Sequence, residues 1–148
     1  MADFLIRPAG KEDFPAIRDL IHAVRINPMG LDWHRFLVAV GPGEEFFGCG
    51  QIKLHSDGSR ELASIAVVEQ FRGQGVARAL IEALLAREPI RPLFLMCRAE
   101  LTGLYARFGF KQTGSEDLPR YFQSIKRIEH IFNHSAAPAD RLAIMRLD

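Results

Sequence analysis

The part of the chain with the clearest chemical meaning is a glycine-containing turn, Gln70 to Gly75, which follows an apolar segment and precedes an amphipathic one. Glycine has no side chain, so at Gly73 and Gly75 backbone N–H groups can converge on a ligand without obstruction. The first N–H groups of the following helix have no partner within the helix and lie at the positive end of its dipole. The turn is therefore predicted to bind a phosphate-like anion.

Two common phosphate-binding loops do not fit this turn. A Walker A loop ends in Gly-Lys-Ser/Thr, whereas Gly75 is followed by valine and alanine. A dinucleotide fingerprint, GxGxxG/A, matches Gly73 and Gly75 but has Arg78 at its last position, where a large side chain would crowd the packing of helix on strand. The pattern that fits is Gln-x-x-Gly-x-Gly after a strand, which begins here at Gln70.

This stretch, residues 70–77, resembles the coenzyme A pyrophosphate loop of the GNAT acetyltransferases. Downstream, Leu104 to Phe110 is similar to the Leu-Tyr-x-x-x-Gly-Phe segment of that family, and Ile6-Arg7-Pro8-Ala9 before a helix that starts Asp-Phe-Pro is a common family opening. The resemblance extends over Phe4 to Leu147. It implies an N-acetyltransferase that moves an acetyl group from acetyl-coenzyme A to a primary amine by direct attack in a ternary complex, without a metal.

The resemblance also implies which residues hold the cofactor. Backbone N–H groups from about Phe71 to Val76 would hold the pyrophosphate, and Arg72 either adds a charge or is solvated. The pantetheine arm would lie between the strand that ends at Val68 and the one that ends at Cys97, where it bonds to unpaired strand backbone. The implied cofactor-binding residues are Ala66, Val67, Val68, Gln70, Phe71, Arg72, Gly73, Gln74, Gly75, Val76 and Ala77.

Amine attack on a thioester needs a base for the ammonium proton and a donor for the leaving thiolate. Tyr105 matches the family tyrosine that serves the thiolate; the alternative is a buried tyrosine whose hydroxyl is satisfied by the protein. Glu61 is the leading base candidate, since its position resembles that of the base glutamate in the histone-acetyltransferase branch. The alternative for Glu61 is a hairpin-end glutamate in solvent. Weaker base candidates are Asp32, His34 and His55.

Three features depart from the family pattern or remain open. Arg98 stands where the family often has asparagine, and it either binds an acidic acceptor group or points to solvent. Cys97 has no adjacent base in its local sequence and is a poor candidate nucleophile. A predicted helix near residues 119–132 either covers the acceptor cleft, meets a partner subunit, or presents a solvated basic face. That face contains Arg120, Lys126, Arg127, His130 and His134.

Apolar periodicity predicts the elements that carry these residues. The order is β-α-(α)-β-β-β-α-β-α-β-α-β, which favours an α+β, three-layer fold with a mixed, mostly antiparallel sheet of about seven strands and helices on both faces. The length favours one N-acetyltransferase domain over residues 1–148. Predicted strands are Leu5–Arg7, Phe36–Val40, Phe46–His55, Leu62–Val68, Leu93–Cys97, Phe110–Thr113 and Leu142–Leu147. One predicted helix starts at about Lys11. The other predicted helices cover Gln74–Arg87, Leu101–Phe108 and Pro119–Phe132.

Composition narrows the class of protein. The formal net charge of +1 gives no case for a nucleic-acid-binding or membrane-surface protein. Cys49 and Cys97 lie in neither a CxxC pair nor a zinc-site spacing and are predicted to be reduced thiols on buried strands. The first seven residues do not resemble a signal peptide, and no apolar run approaches the roughly 20 residues of a membrane span. A cytoplasmic protein is therefore expected, and a homodimer is left open.

Two other functions remain open. One is a module that binds acetyl-coenzyme A for sensing or assembly without turnover, and the other is a protein that uses the same loop for NAD or ATP. For the leading function, the acceptor amine is a protein lysine, a protein N-terminus or a small molecule, and the acyl-chain preference is also open.

Overall fold

The computed structural model describes residues 3–132 and 141–148 and contains the predicted succession of elements. The strands are β1 (Leu5–Pro8), β2 (Phe36–Val40), β3 (Phe46–Leu54), β4 (Arg60–Val67), β5 (Leu93–Arg98), β6 (Lys111–Gln112) and β7 (Leu142–Leu147). The α-helices are α1 (Phe14–Ala23), α2 (Val76–Arg87), α3 (Thr102–Ala106) and α4 (Arg120–Phe132). The strands form one mixed sheet in the order β1-β2-β3-β4-β5-β7-β6. The predicted α+β fold class with seven strands is confirmed.

The chain divides into two compact units, which are described separately. Unit 1 comprises residues up to 53 together with 62–89, and unit 2 comprises residues 54–61 and those from 90 onward. The single domain expected from length stays a prediction. Across the described ranges, no helix combines the length and apolar character that crossing a bilayer requires.

Unit 1 is built on the antiparallel strands β1, β2 and β3, with pairs such as Leu5 opposite Val40. All five residues of β2 are buried, as expected for a strand inside a sheet. Helix α1 buries Ile17, Leu20 and Ile21, the middle of the predicted apolar stripe. One buried cluster of the unit consists of Ala9, Ile17, Leu20, Ile21, Phe36, Val38, Val40, Cys49 and Ala66.

Helix α2 begins at Val76, two residues later than its apolar pattern predicts. Gly75 immediately before it has a left-handed backbone conformation, with φ of 83° and ψ of 11°, which no residue of a right-handed helix can have. The apolar spacing predicts a buried stripe of Ala77, Leu80, Ile81, Leu84 and Leu85, but Val76 is buried while Ala77 and Leu85 are only half-buried. The buried residues of α2 are Val76, Leu80, Ile81 and Leu84.

Unit 2 contains the antiparallel strands β5, β7 and β6, with Leu95 opposite Met145. Helix α4 contributes Phe122, which packs with Phe94 and Ile144 in the core of this unit. Several predicted boundaries are wrong by a few residues: β6 has only two residues, and α3 is a single short helix after a 3₁₀ turn at Ala99–Leu101. The sequence predicts a loop from Asn133 to Asp140, and this segment, which includes His134, lies outside the described residues. The side chains of residues 128–132, including His130, are likewise not described.

A charged cluster fixes the start of the first helical segment. The Arg7 guanidinium donates to both carboxylate oxygens of Asp13, at 2.7 and 3.1 Å, and to Glu44 at 2.6 Å. Asp13 also accepts a 2.7 Å hydrogen bond from the Gly10 N–H. Hydrogen bonding from Arg7 holds the pKa of Asp13 below its usual value, although partial burial opposes this effect. The ionised form of Asp13 therefore stabilises the folded state.

Asp13→Asn is expected to lower the free energy of unfolding at pH 7 by about 1–2 kcal/mol, because hydrogen bonds to a charged carboxylate are replaced by neutral ones. The folded pKa of Asp13 is depressed, so its contribution is present above the unfolded pKa of about 3.9 and is lost as pH falls through the folded value. Urea unfolding should therefore show a difference from wild type that disappears toward about pH 2. The exposed Asp19 supplies the control variant, Asp19→Asn. A difference of equal size at both pH values would contradict the prediction.

Candidate functional site

The predicted anion-binding turn lies in unit 1, between the end of β4 and the start of α2. It begins with a 3₁₀ turn at Glu69–Phe71, and both of its glycines have positive φ, 79° at Gly73 and 83° at Gly75. A Cβ built on either glycine would meet no protein atom within 4 Å. Glycine is therefore required at these positions by the backbone conformation, while the space in front of the turn is open to a ligand.

The backbone N–H groups of the turn fall into two sets. Phe71 N and Arg72 N already donate to the carbonyls of Val68 and Glu69, at 2.9 and 3.2 Å. Within the described part of the chain, Gly73 N and Gly75 N form no hydrogen bond, and the first bond along α2 starts only at the N–H of Ala79. Of the predicted donors from Phe71 to Val76, the first two N–H groups are therefore already paired, and Gly73 N is the first that has no partner among the described residues.

An aromatic contact that could not be predicted from the sequence packs the turn against β3 within unit 1. Phe71 is buried and stacks on Phe47 of β3, with ring centroids 3.7 Å apart and planes 11° apart. Val68 N donates to Phe47 O at 2.8 Å, and the exposed Arg72 uses its Nε to donate to Val67 O at 3.1 Å. Arg72 is therefore partly engaged in shaping the turn.

Close packing of β3 against the end of β4 explains a second glycine pair. A Cβ on Gly48 would lie 2.6 Å from Ala66 O, and one on Gly50 would lie 2.5 Å from the Ile65 side chain. At Gly48 the neighbour is backbone, so only glycine fits there, whereas at Gly50 the Ile65 side chain would have to shift. The signal was present in the sequence, since glycine inside a strand often marks a close backbone approach.

Strand β4 is irregular at Ser64, where the sequence predicted an uninterrupted strand. Ser64 has a φ of 60°, a conformation that costs about 1–2 kcal/mol in a residue with a Cβ. The buried Gln51 stabilises this conformation by donating from Nε2 to Ser64 Oγ at 2.9 Å. Gln51 Oε1 is itself buried and has no hydrogen-bond partner among the described residues.

Tyr105 lies on α3 in unit 2, near Cys97 at the end of β5. Burial, with a smaller effect of Cys97, raises the pKa of Tyr105 to about 12, so the phenol keeps its proton at neutral pH. Its ring contacts the edge of Phe110 at a centroid distance of 6.4 Å. No residue in the described ranges hydrogen-bonds the hydroxyl.

Glu61 also lies in unit 2, on β4, and it is only 3 % exposed. Its Oε1 is 2.8 Å from Nε2 of His55, the residue that follows β3. The alternative of a hairpin-end glutamate in solvent is therefore wrong. The other weak base candidates, Asp32 and His34, form an exposed pair in unit 1 with a 2.7 Å contact.

Comparison with known proteins assigns this arrangement to a family. A model of the acetyltransferase (GNAT) domain matches residues 32–112, which is more than half of the chain. The chain belongs to the GNAT acetyltransferases. An uncharacterized N-acetyltransferase of Chlorobaculum tepidum is 32% identical over 88 residues, which are 57% of this chain and 55% of that protein. The match thus spans little more than half the length of that relative.

Solved structures confirm the GNAT fold. Rv2747 from Mycobacterium tuberculosis, in complex with coenzyme A, has a TM-score of 0.71 and 23% identity over 97% of this chain and 98% of its own. N-acetylglutamate synthase from Neisseria gonorrhoeae, complexed with coenzyme A and N-acetyl-glutamate, has a TM-score of 0.73 and 20% identity. That similarity covers 100% of this chain and 36% of the synthase.

The remaining reactive groups of this GNAT chain are less suited to chemistry. Arg98 is exposed and pairs with Glu100 at 3.2 Å, in agreement with the solvent alternative. Cys49 and Cys97 are free and buried, as predicted. Burial raises the pKa of the Cys97 thiol to about 11 and that of Cys49 to about 12. Neither thiol is therefore a ready nucleophile at neutral pH.

A hydrogen bond from the hairpin after β3 fixes the start of α4. Asp57 Oδ2 accepts from Tyr121 N, in the first turn of α4, at 2.9 Å, while Oδ1 accepts from Ser59 N at 2.9 Å. Asp57 thus serves as a helix cap for a segment 64 residues away. The basic face of α4, represented by Arg120 and Arg127, is exposed at these two residues.

Asp57→Ala is expected to lower the free energy of unfolding by about 1–2 kcal/mol, because an N-cap and a turn hydrogen bond are lost together. Chemical denaturation would measure this loss, with Ser59→Ala to separate the contribution of the hydrogen bond that the Ser59 hydroxyl donates to Asp57 Oδ1. If Asp57→Ala were no less stable than Ser59→Ala, the contact with α4 would contribute nothing.

Proposed function

We propose that this GNAT chain transfers an acetyl group from acetyl-coenzyme A to a primary amine by direct attack in a ternary complex. The observation that carries the proposal is the turn at Gly73 and Gly75, which combines open space with two N–H groups that have no acceptor among residues 3–132 and 141–148. This environment fits a pyrophosphate, because unpaired backbone donors at a helix N-terminus bind anions. The fold shared with two structures that contain coenzyme A supports the same assignment.

In this proposal the cofactor contacts come from unit 1. The N–H groups from Gly73 onward hold the pyrophosphate, and the backbone of Ala66 to Val68 binds the pantetheine arm. Gln70, Phe71, Arg72, Gln74 and Ala77 complete the loop: Phe71 anchors it through its stack on Phe47. When bound, acetyl-coenzyme A supplies an acetyl group activated as a thioester.

Tyr105 serves the leaving thiolate as a hydrogen-bond donor. The pKa of Tyr105 is about 12, whereas a thiol has a pKa of about 8.5. Complete transfer of the phenol proton to the thiolate would therefore be unfavourable by about 5 kcal/mol. A hydrogen bond without full transfer avoids this cost and still stabilises the charge that develops on sulfur.

Glu61 takes the proton of the acceptor's ammonium group, so that the nitrogen can attack. A buried carboxylate with one oxygen already bonded to His55 leaves the other oxygen for this task. Protein lysines, protein N-termini and small amines are all candidate acceptors. Amino acids belong among them because the gonococcal synthase was complexed with N-acetyl-glutamate. We place the reaction in the cytoplasm, where two free thiols would stay reduced.

The test has two stages. Thermal unfolding with coenzyme A, acetyl-coenzyme A, NAD and ATP should show stabilisation by the first two alone. Thiol release from acetyl-coenzyme A is then measured with a panel of lysine peptides, N-terminal peptides, amino acids and polyamines, and at least one amine should accelerate release. Stabilisation without release by any amine would favour a non-catalytic acetyl-coenzyme A sensor, and stabilisation by NAD or ATP instead would refute the assignment.

A further inference from the structure

The two oxygens of the Glu61 carboxylate are in different situations. Oε1 contacts His55 Nε2 at 2.8 Å, whereas Oε2 receives no hydrogen bond from residues 3–132 or 141–148. The side chain is only 4% exposed. Among the described residues, Gln51 Oε1 is the fully buried side-chain oxygen that lacks a partner, so Oε2 of Glu61 keeps some access to solvent. Oε2 is therefore the carboxylate oxygen that is open to a donor from outside the protein.

The His55 ring is fixed by contacts from helix α4. It stacks on Tyr121 with centroids 3.6 Å apart and planes 16° apart, and it meets the edge of Phe122 at 5.7 Å and 87°. The cap from Asp57 to Tyr121 N holds the start of α4 against the same hairpin. Burial, followed by the charge of Glu61, raises the pKa of Tyr121, so this phenol is neutral beside the pair. The imidazole therefore has little freedom to turn away from Glu61.

The chemistry of the two groups determines which of them carries the hydrogen. An ionised carboxylate can only accept, so Nε2 of His55 must be the donor to Oε1. This bond restrains the carboxylate in one orientation and leaves the lone pairs of Oε2 for another donor. The Nδ1 atom of the same ring has no hydrogen-bond partner within the described residues.

We propose that His55 is a positioning residue for acyl transfer: its Nε2–H holds Glu61 Oε1 so that Oε2 faces the acceptor's ammonium group. This inference rests on the proposed function. In the proton step an N–H bond of the ammonium breaks, an O–H bond forms at Oε2, and the bonding pair stays on nitrogen as the lone pair that attacks the thioester. The proton is then released to water, which restores the carboxylate.

Two substitutions of His55 separate positioning from the other roles an imidazole can have. His55→Gln retains an amide N–H near the place of Nε2–H but cannot act as a base. His55→Phe retains a ring that can stack on Tyr121 but has no donor. If His55 positions Glu61, glutamine should restore most of the activity that phenylalanine loses. If His55 itself took the proton, both variants would be equally impaired.

The experiment is a double-mutant cycle with Glu61→Gln, measured as thiol release with the best amine of the panel. His55→Phe should lower kcat by about 10–10²-fold, as expected for a misplaced catalytic group, while KM for acetyl-coenzyme A is unchanged. Glu61→Gln should lower kcat by about 10² or more. In the Glu61→Gln background, His55→Phe should have no further effect, because His55 acts only through the carboxylate. His22→Gln, at an exposed site on α1, is the control for loss of a histidine.

If the wild-type protein catalyses thiol release, three results would overturn the role of His55. They are equal loss of kcat in His55→Gln and His55→Phe, additive losses in the cycle, and a loss confined to KM. His55→Phe could fail to fold because Glu61 loses its donor. The comparison of Glu61→Gln with the double variant then tests the role of His55, because neither of these proteins contains the unpaired carboxylate charge. Failure of the wild-type protein to release thiol with any amine would instead refute the proposed function and the base role with it.

Discussion

Gly75→Ala is expected to weaken coenzyme A binding by about 10–10²-fold. The methyl group would project into the open space in front of the turn, and a residue with a Cβ resists the φ of 83° found there. Displacement of one amide removes a charge-assisted hydrogen bond worth about 1.5–3 kcal/mol, and every 1.4 kcal/mol is tenfold in affinity. Isothermal titration calorimetry with coenzyme A measures the effect directly.

The matched control for this variant is Gly43→Ala in the same unit. Gly43 also has a positive φ, 73°, and a Cβ there would likewise meet nothing within 4 Å. Both variants should therefore lose a similar free energy of unfolding, about 1–2 kcal/mol. Only Gly75→Ala should lose affinity for coenzyme A. Equal affinity in the two variants would mean that the turn does not hold the pyrophosphate.

The turn could be predicted from the sequence because its chemistry is local. Positive φ is a property of single residues, so Gly73 and Gly75 indicate both the conformation and the exposed amides. The start of α2 was predicted at Gln74, two residues too early, because Gly75 interrupts the helical backbone. Apolar periodicity depends on side chains, whereas the start of α2 is set by the backbone conformation of Gly75.

The surroundings of Glu61 could not be predicted, because they depend on contacts between distant segments. From the sequence, Glu61 is the leading base candidate, and the alternative is a hairpin-end glutamate in solvent. In the structure, α4 packs Tyr121 and Phe122 around His55, and this packing buries the carboxylate. Nothing in the local pattern of residues 55–61 indicates a helix more than 60 positions later. The stacking of Phe71 on Phe47 likewise could not be predicted, because the two residues belong to different segments.

Tyr105→Phe is expected to lower kcat by about 10², with little change in affinity for coenzyme A. The phenol has no hydrogen-bond partner among the described residues, so its removal costs the folded state little. The thiolate, in contrast, loses the group that would stabilise its charge as the carbon–sulfur bond breaks. Thiol-release kinetics combined with calorimetry separate the two effects.

The pKa of Tyr105 gives the same prediction a dependence on pH. Because burial raises this pKa to about 12, the phenol remains a donor throughout the neutral and moderately alkaline range. The ratio of wild-type to Tyr105→Phe kcat should thus be constant up to about pH 11 and fall above it, where the wild-type tyrosine ionises. If the ratio already fell near pH 8, the group that donates to the thiolate would be a residue other than Tyr105. An unchanged kcat at every pH would remove Tyr105 from the reaction and leave it as a packing residue of α3.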